Sequence, residues 1–397
     1  MSKTRRTTVA VIFGGRSVEH DVSIVTGHQV MKAFAPERYE VIPVYISRDG
    51  RWFTGEALAE LESFKDDDIL NRDDARACLL SPDTRYHGLI IDPLAGRFRK
   101  SERRRIDVAF PALHGTHGED GSIQGLFELA DIPYVGCATL DSALTNDKIM
   151  TKSVLRQAGI PVLDDLWFTR DNWLDGPDAV IEELLAKFEF PLFVKPATLG
   201  SSIGIGRADS EALLRASIDI AANFDSRVLV EPAMAGGIEI NCSVLGFGAQ
   251  YQASTLEQPI SWDEFLSYED KYLRGGEGMK SAERLVPAPI SADLTARVKA
   301  TSIAAFKAVN GRGIARIDYF ALPDQNELYL NEINTMPGSL AFYLWREDGY
   351  TAADLVDKLV ELAHQAHAEK RRNTYDYQTN LVAAASQRGI KGGKGVK

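Results

Sequence analysis

Asp318, Glu332 and Asn334 are the residues whose types and spacing point most directly to chemistry. They lie in GRGIARIDYFALPDQNELYLNEINTMPGS, residues 311–339, where two strand-like runs flank Pro323, Asp324 and Asn326, residue types suited to a tight turn. Side chains alternate along a strand. Arg316, Asp318 and Phe320 therefore share one face of the first run, and Leu328, Leu330, Glu332 and Asn334 one face of the second. If those faces coincide, Asp318 lies across from Glu332 and Asn334. Two carboxylates about 4 to 5 Å apart, at an effective dielectric of about 20, repel by roughly 3 to 4 kcal/mol. A cation between them removes that penalty. Oxygen donors with no histidine or cysteine nearby favour magnesium over zinc or copper, and magnesium usually arrives with phosphate. The same pattern also fits a surface hairpin whose acids face water. Against that reading stand the apolar neighbours, Arg316 on the same face, and Thr335-Met336-Pro337-Gly338 directly after.

The elements that position this hairpin begin with TVAVIFGG, a buried strand ending in glycines and followed by a helix through Val25, Val30, Met31 and Phe34. No GxGxxG fingerprint is present, so no dinucleotide site is read there. Glu19 is the acid nearest the strand's C-terminal end, where open α/β sheets bind ligands, and it also fits a solvated helix start. EVIPVYIS is a second strand, and residues 56–80 read as helix or loop. A strand over 107–113 leads into Gly115, Gly118 and Gly121 and then a helix from Ser122, an arrangement that suits an anion at a helix N-terminus. His114 reads equally as a ligand-facing donor or a structural histidine. DSALTNDKIMTKSVLRQAGIPV reads as one helix with Lys148 near its start.

EFPLFVKPATLGSSIGIGRA is a strand ending in Lys195, a loop through Gly200, Ser201, Ser202 and Gly204, and a second short strand. A P-loop has its glycines before the lysine, so this is a different phosphate grip, a flap able to close over phosphates. RVLVEPAMAGGIEINCSVLG is strand, turn and strand, with Glu231 and Glu239 at its two ends. Residues 259–287 read as a long loop carrying Tyr268, Lys271 and Tyr272. YTAADLVDKLVELAHQAHAEK is an amphipathic helix with a Thr351…Asp354 start signal. Its His364 and His367 read as solvated, and residues 371–397 as a flexible tail.

The chain has 397 residues, a net charge of −11, and 45% hydrophobic and 25% charged residues, the balance of a soluble globular protein. That acidity argues against nucleic acid as a partner. Cys78, Cys137 and Cys242 are odd in number and far apart, which fits a reducing cytoplasm rather than a disulfide framework. No apolar run is long enough to span a membrane, and no signal peptide is evident.

Four segments in order, VIFGGRSVEHDVS, ALHGTHGEDGSIQGLFELADIPYVG, VKPATLGSSIGIGRA and ARIDYF…LYLNEINTMPG, together resemble the ATP-grasp superfamily and, within it, the D-alanine:D-alanine ligases of cell-wall synthesis. The resemblance implies a three-part α/β and α+β fold. An N-terminal parallel α/β substrate domain spans 1–139, and ATP lies between ATP-grasp units over 140–235 and 236–370. It implies a cytoplasmic, homodimeric enzyme that uses ATP to activate one D-alanine as an acyl phosphate for attack by a second. Asp318, Glu332 and Asn334 would hold two magnesium ions, with manganese as a substitute. Lys148, Lys195 and Lys271 would hold phosphates, the Ser201, Ser202 and Gly204 loop would cover them, and Glu231 and Glu239 would meet the adenosine. Glu19, Ser201 and Tyr272 match a trio that positions the first amino acid, His114 a substrate-side histidine, and Arg316 with the Gly338 backbone an oxyanion site. The chain departs from the family after Gly338. There SLAFYLWRED, with Tyr343, stands where a serine-bearing segment grips the acceptor's carboxylate, so an ATP-grasp ligase joining a D-amino acid to another amine or hydroxy acid is a second reading.

Overall fold

The computed structural model describes residues 5–65, 69–94, 100–200, 202–234, 236–260, 284–375, 377 and 379–382. Three sheets organise them. The first contains β1 (Thr7–Gly14), β2 (Tyr39–Ile46), β3 (Trp52–Thr54), β4 (Arg76–Leu80), β5 (Gly88–Ile91), β6 (Glu102–Arg105) and β7 (Val108–Pro111), in the order β6-β5-β4-β3-β2-β1-β7. Val9 through Phe13 are fully buried, as a central strand covered on both faces requires.

This sheet is parallel only at one end, where β1 pairs with β2 and with the edge strand β7. The expected parallel domain is thus a mixed sheet, because β3 to β6 add antiparallel strands. One of them, β4, lies in the stretch read as helix or loop. The single helix expected over DSALTNDKIM is two, Thr139–Asn146 and Lys148–Gln157, broken at Asp147. The Asp147 carboxylate caps the second by accepting from the N–H groups of Ile149 and Met150.

The second sheet contains β8 (Leu166–Thr169), β9 (Leu192–Pro196), β10 (Gly206–Ala208) and β11 (Arg227–Pro232), in the order β10-β9-β11-β8. Its apolar side chains form a core of their own under the helices Pro177–Lys187 and Glu211–Phe224. The third contains β12 (Ile238–Phe247), β13 (Gln250–Pro259), β14 (Arg284–Leu285), β15 (Gly313–Leu322) and β16 (Glu327–Asn334), in the order β14-β13-β12-β15-β16. The turn after β11 therefore carries the chain from one sheet to the next rather than closing a hairpin.

The capping box expected at Thr351 and Asp354 starts the helix Ala352–Lys370, whose Leu355, Leu359 and Leu362 share one core with Val9, Phe13 and Phe110 of the first sheet and Leu245 and Ile314 of the third. The first and third sheets are thereby joined through a common apolar interior. The three cysteines are buried and unpaired, as expected. No helix among the described residues is long and apolar enough to cross a membrane.

Candidate active site

β15 and β16 form the expected hairpin, turned by Pro323–Gln325 and by Asn326 at φ 52°. Asp318 is in register with Glu332, and Arg316 with Asn334. One part of the alternation fails. A bulge shifts the register between Asp318 and Tyr319, so that Tyr319 meets Leu330 and Asn331 is the extra residue. Leu328 and Leu330 consequently face the core, and only Glu332 and Asn334 share the face of Asp318.

That face lines a cleft of ≈ 860 Å³ reached by all three sheets. Register carries it across the sheet. Glu332 on β16, Asp318 on β15, Asn241 on β12 and Glu257 on β13 pair in sequence, a polar row spanning four strands. Glu239 sits on the same face of β12, paired with Phe320.

Arg316 chelates Asp318, its Nε donating to Oδ1 at 2.7 Å and Nη2 to Oδ2 at 2.6 Å, and Asn334 Nδ2 donates to Asp318 Oδ2 at 2.9 Å and Glu332 Oε1 at 3.4 Å. Burial pushes the Asp318 carboxyl up to about 6, although the adjacent guanidinium pulls it down. Both acids are half-buried and line the cleft rather than standing on the open surface. Among the described residues no three His, Cys, Asp or Glu side chains gather as a closed metal cage. Two carboxylates and an amide suit instead a hard cation that keeps other oxygen ligands, as magnesium does beside phosphate.

Lys195 leaves β9 beneath the cleft and donates to Asn331 Oδ1 at 3.1 Å. It also meets Glu231, whose other oxygen is taken by Lys152. Glu231 is 1% exposed; burial alone would raise its pKa, but the two lysines outweigh it and hold the carboxyl at about 2. The residue expected to face adenosine is therefore engaged as the centre of a buried Lys-Glu-Lys triad. Lys152 lay outside the sequence reading, though it follows Lys148 at i,i+4 on one helix face. Lys148 Nζ bonds the Leu199 carbonyl at the base of the glycine-serine loop, and burial lowers its pKa.

The first sheet contributes Glu19, His114 and Glu119. Glu19 starts its helix as expected but is buried in the cleft wall rather than solvated. A Cβ on Gly115, at φ +70°, would come within 2.5 Å of Glu19 Oε2, so glycine is required for this approach. A Cβ on Gly200 would lie 3.8 Å from the same oxygen, which brings the flap loop up to the N-terminal sheet. His114 is buried, bonds Thr26 Oγ1 at 2.9 Å, and is lowered to about 4, so it is neutral near pH 7. Glu119, absent from the sequence reading although it sits among loop glycines, accepts the amides of Gly115 at 2.8 Å and Met336 at 3.1 Å.

Ser202 and Gly338 line the cleft. Gly204 does not, because it turns the chain against Pro196 and Phe224. Beyond Gly338, Ser339, Leu340 and Ala341 are all left-handed, at φ 49°, 49° and 50°. Ser201, Tyr268, Lys271 and Tyr272 lie outside the described residues. Of the helix histidines, His364 is exposed as expected, whereas His367 is part-buried against Asp131 at 2.9 Å rather than solvated, and neither lines the cleft.

Residues 8–137 match the family model described as D-ala D-ala ligase N-terminus, and residues 154–361 the one described as D-ala D-ala ligase C-terminus. A D-alanine--D-alanine ligase of Thermosipho africanus is 36% identical over 373 residues, covering 94% of this chain and 97% of the relative. Another from Natranaerobius thermophilus is 37% identical, covering 94% and 99%. Among solved structures, the D-alanine-D-alanine ligase from Coxiella burnetii superposes with a TM-score of 0.78 at 29% identity over 97% of this chain and 99% of that one. The VanG D-Ala:D-Ser ligase from Enterococcus faecalis does so with 0.76 at 31%, over 90% and 100%.

Proposed function

Because this chain belongs to the D-alanine–D-alanine ligase family, we propose that it is an ATP-dependent ligase that joins two D-alanines into D-alanyl-D-alanine for peptidoglycan precursors. The observation that carries this reading is the single cleft in which Glu19, Lys148, Lys195, Arg316, Asp318, Glu332 and Asn334 converge from three sheets. Phosphoryl transfer asks a protein mainly for positioning and charge, and these residues provide both.

ATP supplies the phosphoryl group that turns the first carboxylate into an acyl phosphate open to attack by an amine. Asp318, Glu332 and Asn334 would hold magnesium, which neutralises phosphate charge. Lys148 and Lys195 place two cations at the floor of the cleft for phosphate oxygens. Glu19 presents a buried carboxylate to the ammonium of the first D-alanine, and the neutral His114 shapes the wall beside it. Arg316 and the Gly338 backbone lie where negative charge develops on the attacked carbonyl, a use of fixed dipoles and charges that water matches poorly. Glu239 and the backbone near Glu231 line the side we assign to adenosine, and Ser202 borders the cleft from the glycine-serine loop. Each proposed unit, 1–139, 140–235 and 236–370, contains one sheet, which supports that division.

The test is ADP release with ATP, magnesium and D-alanine, with the product identified by mass. D-alanyl-D-alanine as the main product is the expected result. No ADP with D-alanine, or a clear preference for another amine or hydroxy acid offered beside it, overturns the reading.

A further inference from the structure

Glu257, Arg284 and Tyr343 form a second charged cluster in the cleft, at the end of the polar row opposite Glu332. Three strand spacings of about 4.8 Å put it roughly 14 Å from that residue. Glu257 is 2% exposed; its Oε1 accepts from Tyr343 Oη at 2.5 Å and from Asn241 Nδ2 at 3.0 Å, while Arg284 Nη1 lies 3.4 Å from Oε2. The Arg284 guanidinium stacks 4.4 Å above the centre of the Tyr343 ring. Burial, with Glu257 alongside, raises the Tyr343 phenol, which keeps its proton and remains a donor. Asn241, 7% exposed, has an Oδ1 that no hydrogen bond satisfies among the described residues.

Such a cluster is costly to build without a ligand. A buried acceptor left unpaired costs about 1 to 3 kcal/mol, and an arginine held flat on an aromatic ring has lost much of its freedom before anything binds. An arginine presented with in-plane donors fits a carboxylate. A buried carboxylate beside an unpaired amide oxygen fits an amine. The two needs meet in one molecule, an α-amino acid, and the first amino acid already has Glu19 on the far wall.

Resting on the ligase reading, we propose that Arg284, seated on Tyr343 and tethered by Glu257, binds the carboxylate of the acceptor amino acid, with Asn241 Oδ1 facing its amine. Arg284 and Tyr343 thereby require an acceptor that carries a free carboxylate, and they take the part left open by the SLAFYLWRED segment.

The experiment is a competition in one tube. The enzyme, ATP and magnesium meet D-alanine and D-alaninamide together, and mass spectrometry reads the ratio of dipeptide to dipeptide amide. Arg284→Gln is expected to lower that ratio at least 10-fold, and Tyr343→Leu, which removes the seat, to lower it in the same direction. Tyr343→Phe keeps the ring and should stay within about threefold of wild type. A general loosening of the fold slows both products alike and leaves the ratio unmoved. If wild type forms dipeptide and neither Arg284→Gln nor Tyr343→Leu shifts the ratio, the acceptor assignment is overturned while the ligase reading stands. If wild type forms neither product, the ligase reading itself fails, and this inference with it.

Discussion

Glu119 accepts the backbone amide of Met336 at 3.1 Å, a bond between residues 217 apart that ties the glycine loop of the first sheet to the segment leaving β16. Its second oxygen takes the Gly115 amide. Burial, and then the neighbouring Glu19 charge, push this carboxyl up to about 8 despite both donors.

A carboxyl raised in the folded state keeps its proton there while the unfolded chain releases one, so stability falls as pH rises from about 4.5 to 8. The loss is on the order of a few kcal/mol if Glu119 acts alone. Urea unfolding across that window should show the decline in wild type and a flatter profile in Glu119→Gln. Parallel profiles would assign the dependence to other groups.

Glu332→Gln keeps the shape of the side chain and removes one of the paired acids. Turnover should drop by about 100-fold or more, with the magnesium requirement shifted to higher concentration. The melting temperature should hold or rise slightly, because repulsion with Asp318 is relieved. Near-normal turnover at ordinary magnesium would remove Glu332 from the metal set.

The two lysines on Glu231 differ in what else they reach. Lys195 also meets Asn331 on the cleft floor, whereas Lys152 bonds the Leu163 carbonyl at 3.2 Å beneath it. Lys152→Met should therefore cost about 3 kcal/mol of stability with little change in the KM for ATP. Lys195→Met should raise that KM at least 10-fold. Equal effects on KM would mean that the triad binds nucleotide as a unit.

Three consecutive left-handed residues after Gly338 carry strain, since each non-glycine residue there costs roughly 1 to 2 kcal/mol. Leu340 and Ala341 are held by complete burial, but Ser339 is partly exposed. Ser339→Gly should stabilise the protein by about 1 kcal/mol and Ser339→Val should destabilise it, because a β-branched side chain tolerates positive φ poorly. Chemical denaturation of the three proteins gives the order directly.

The β15–β16 hairpin could be read from its turn residues and alternating strands because both signals are local. The bulge at Asn331 was also written locally, in the change from two-residue spacing at Leu328 and Leu330 to three at Ile333, but strict alternation passed over it. Glu257, Asn241 and Arg284 could not be found in this way. Their adjacency depends on which strands pair, and that is settled by the sheet as a whole. The antiparallel strands β5 and β6 are short, and β6 is the run Glu102–Arg105, whose charged residues hide its pairing from any hydrophobic pattern. Lys148 and Lys195 were legible as cations near loops, but the burial of Glu231 between lysines was not.

The core of β8 to β11 is separate from the interior shared by the first and third sheets. Among the described residues, its apolar tie to the helix beginning at Lys148 is the buried cluster Ile149, Ala197 and Leu229, flanked by the Arg227–Asp147 ion pair at 2.6 Å. A tilt of this sheet about that edge would move its side of the chamber while leaving the frame intact. Lys148 sits at the pivot and Lys195 on the swinging part, so the distance between these two cations would report how far the chamber has shut.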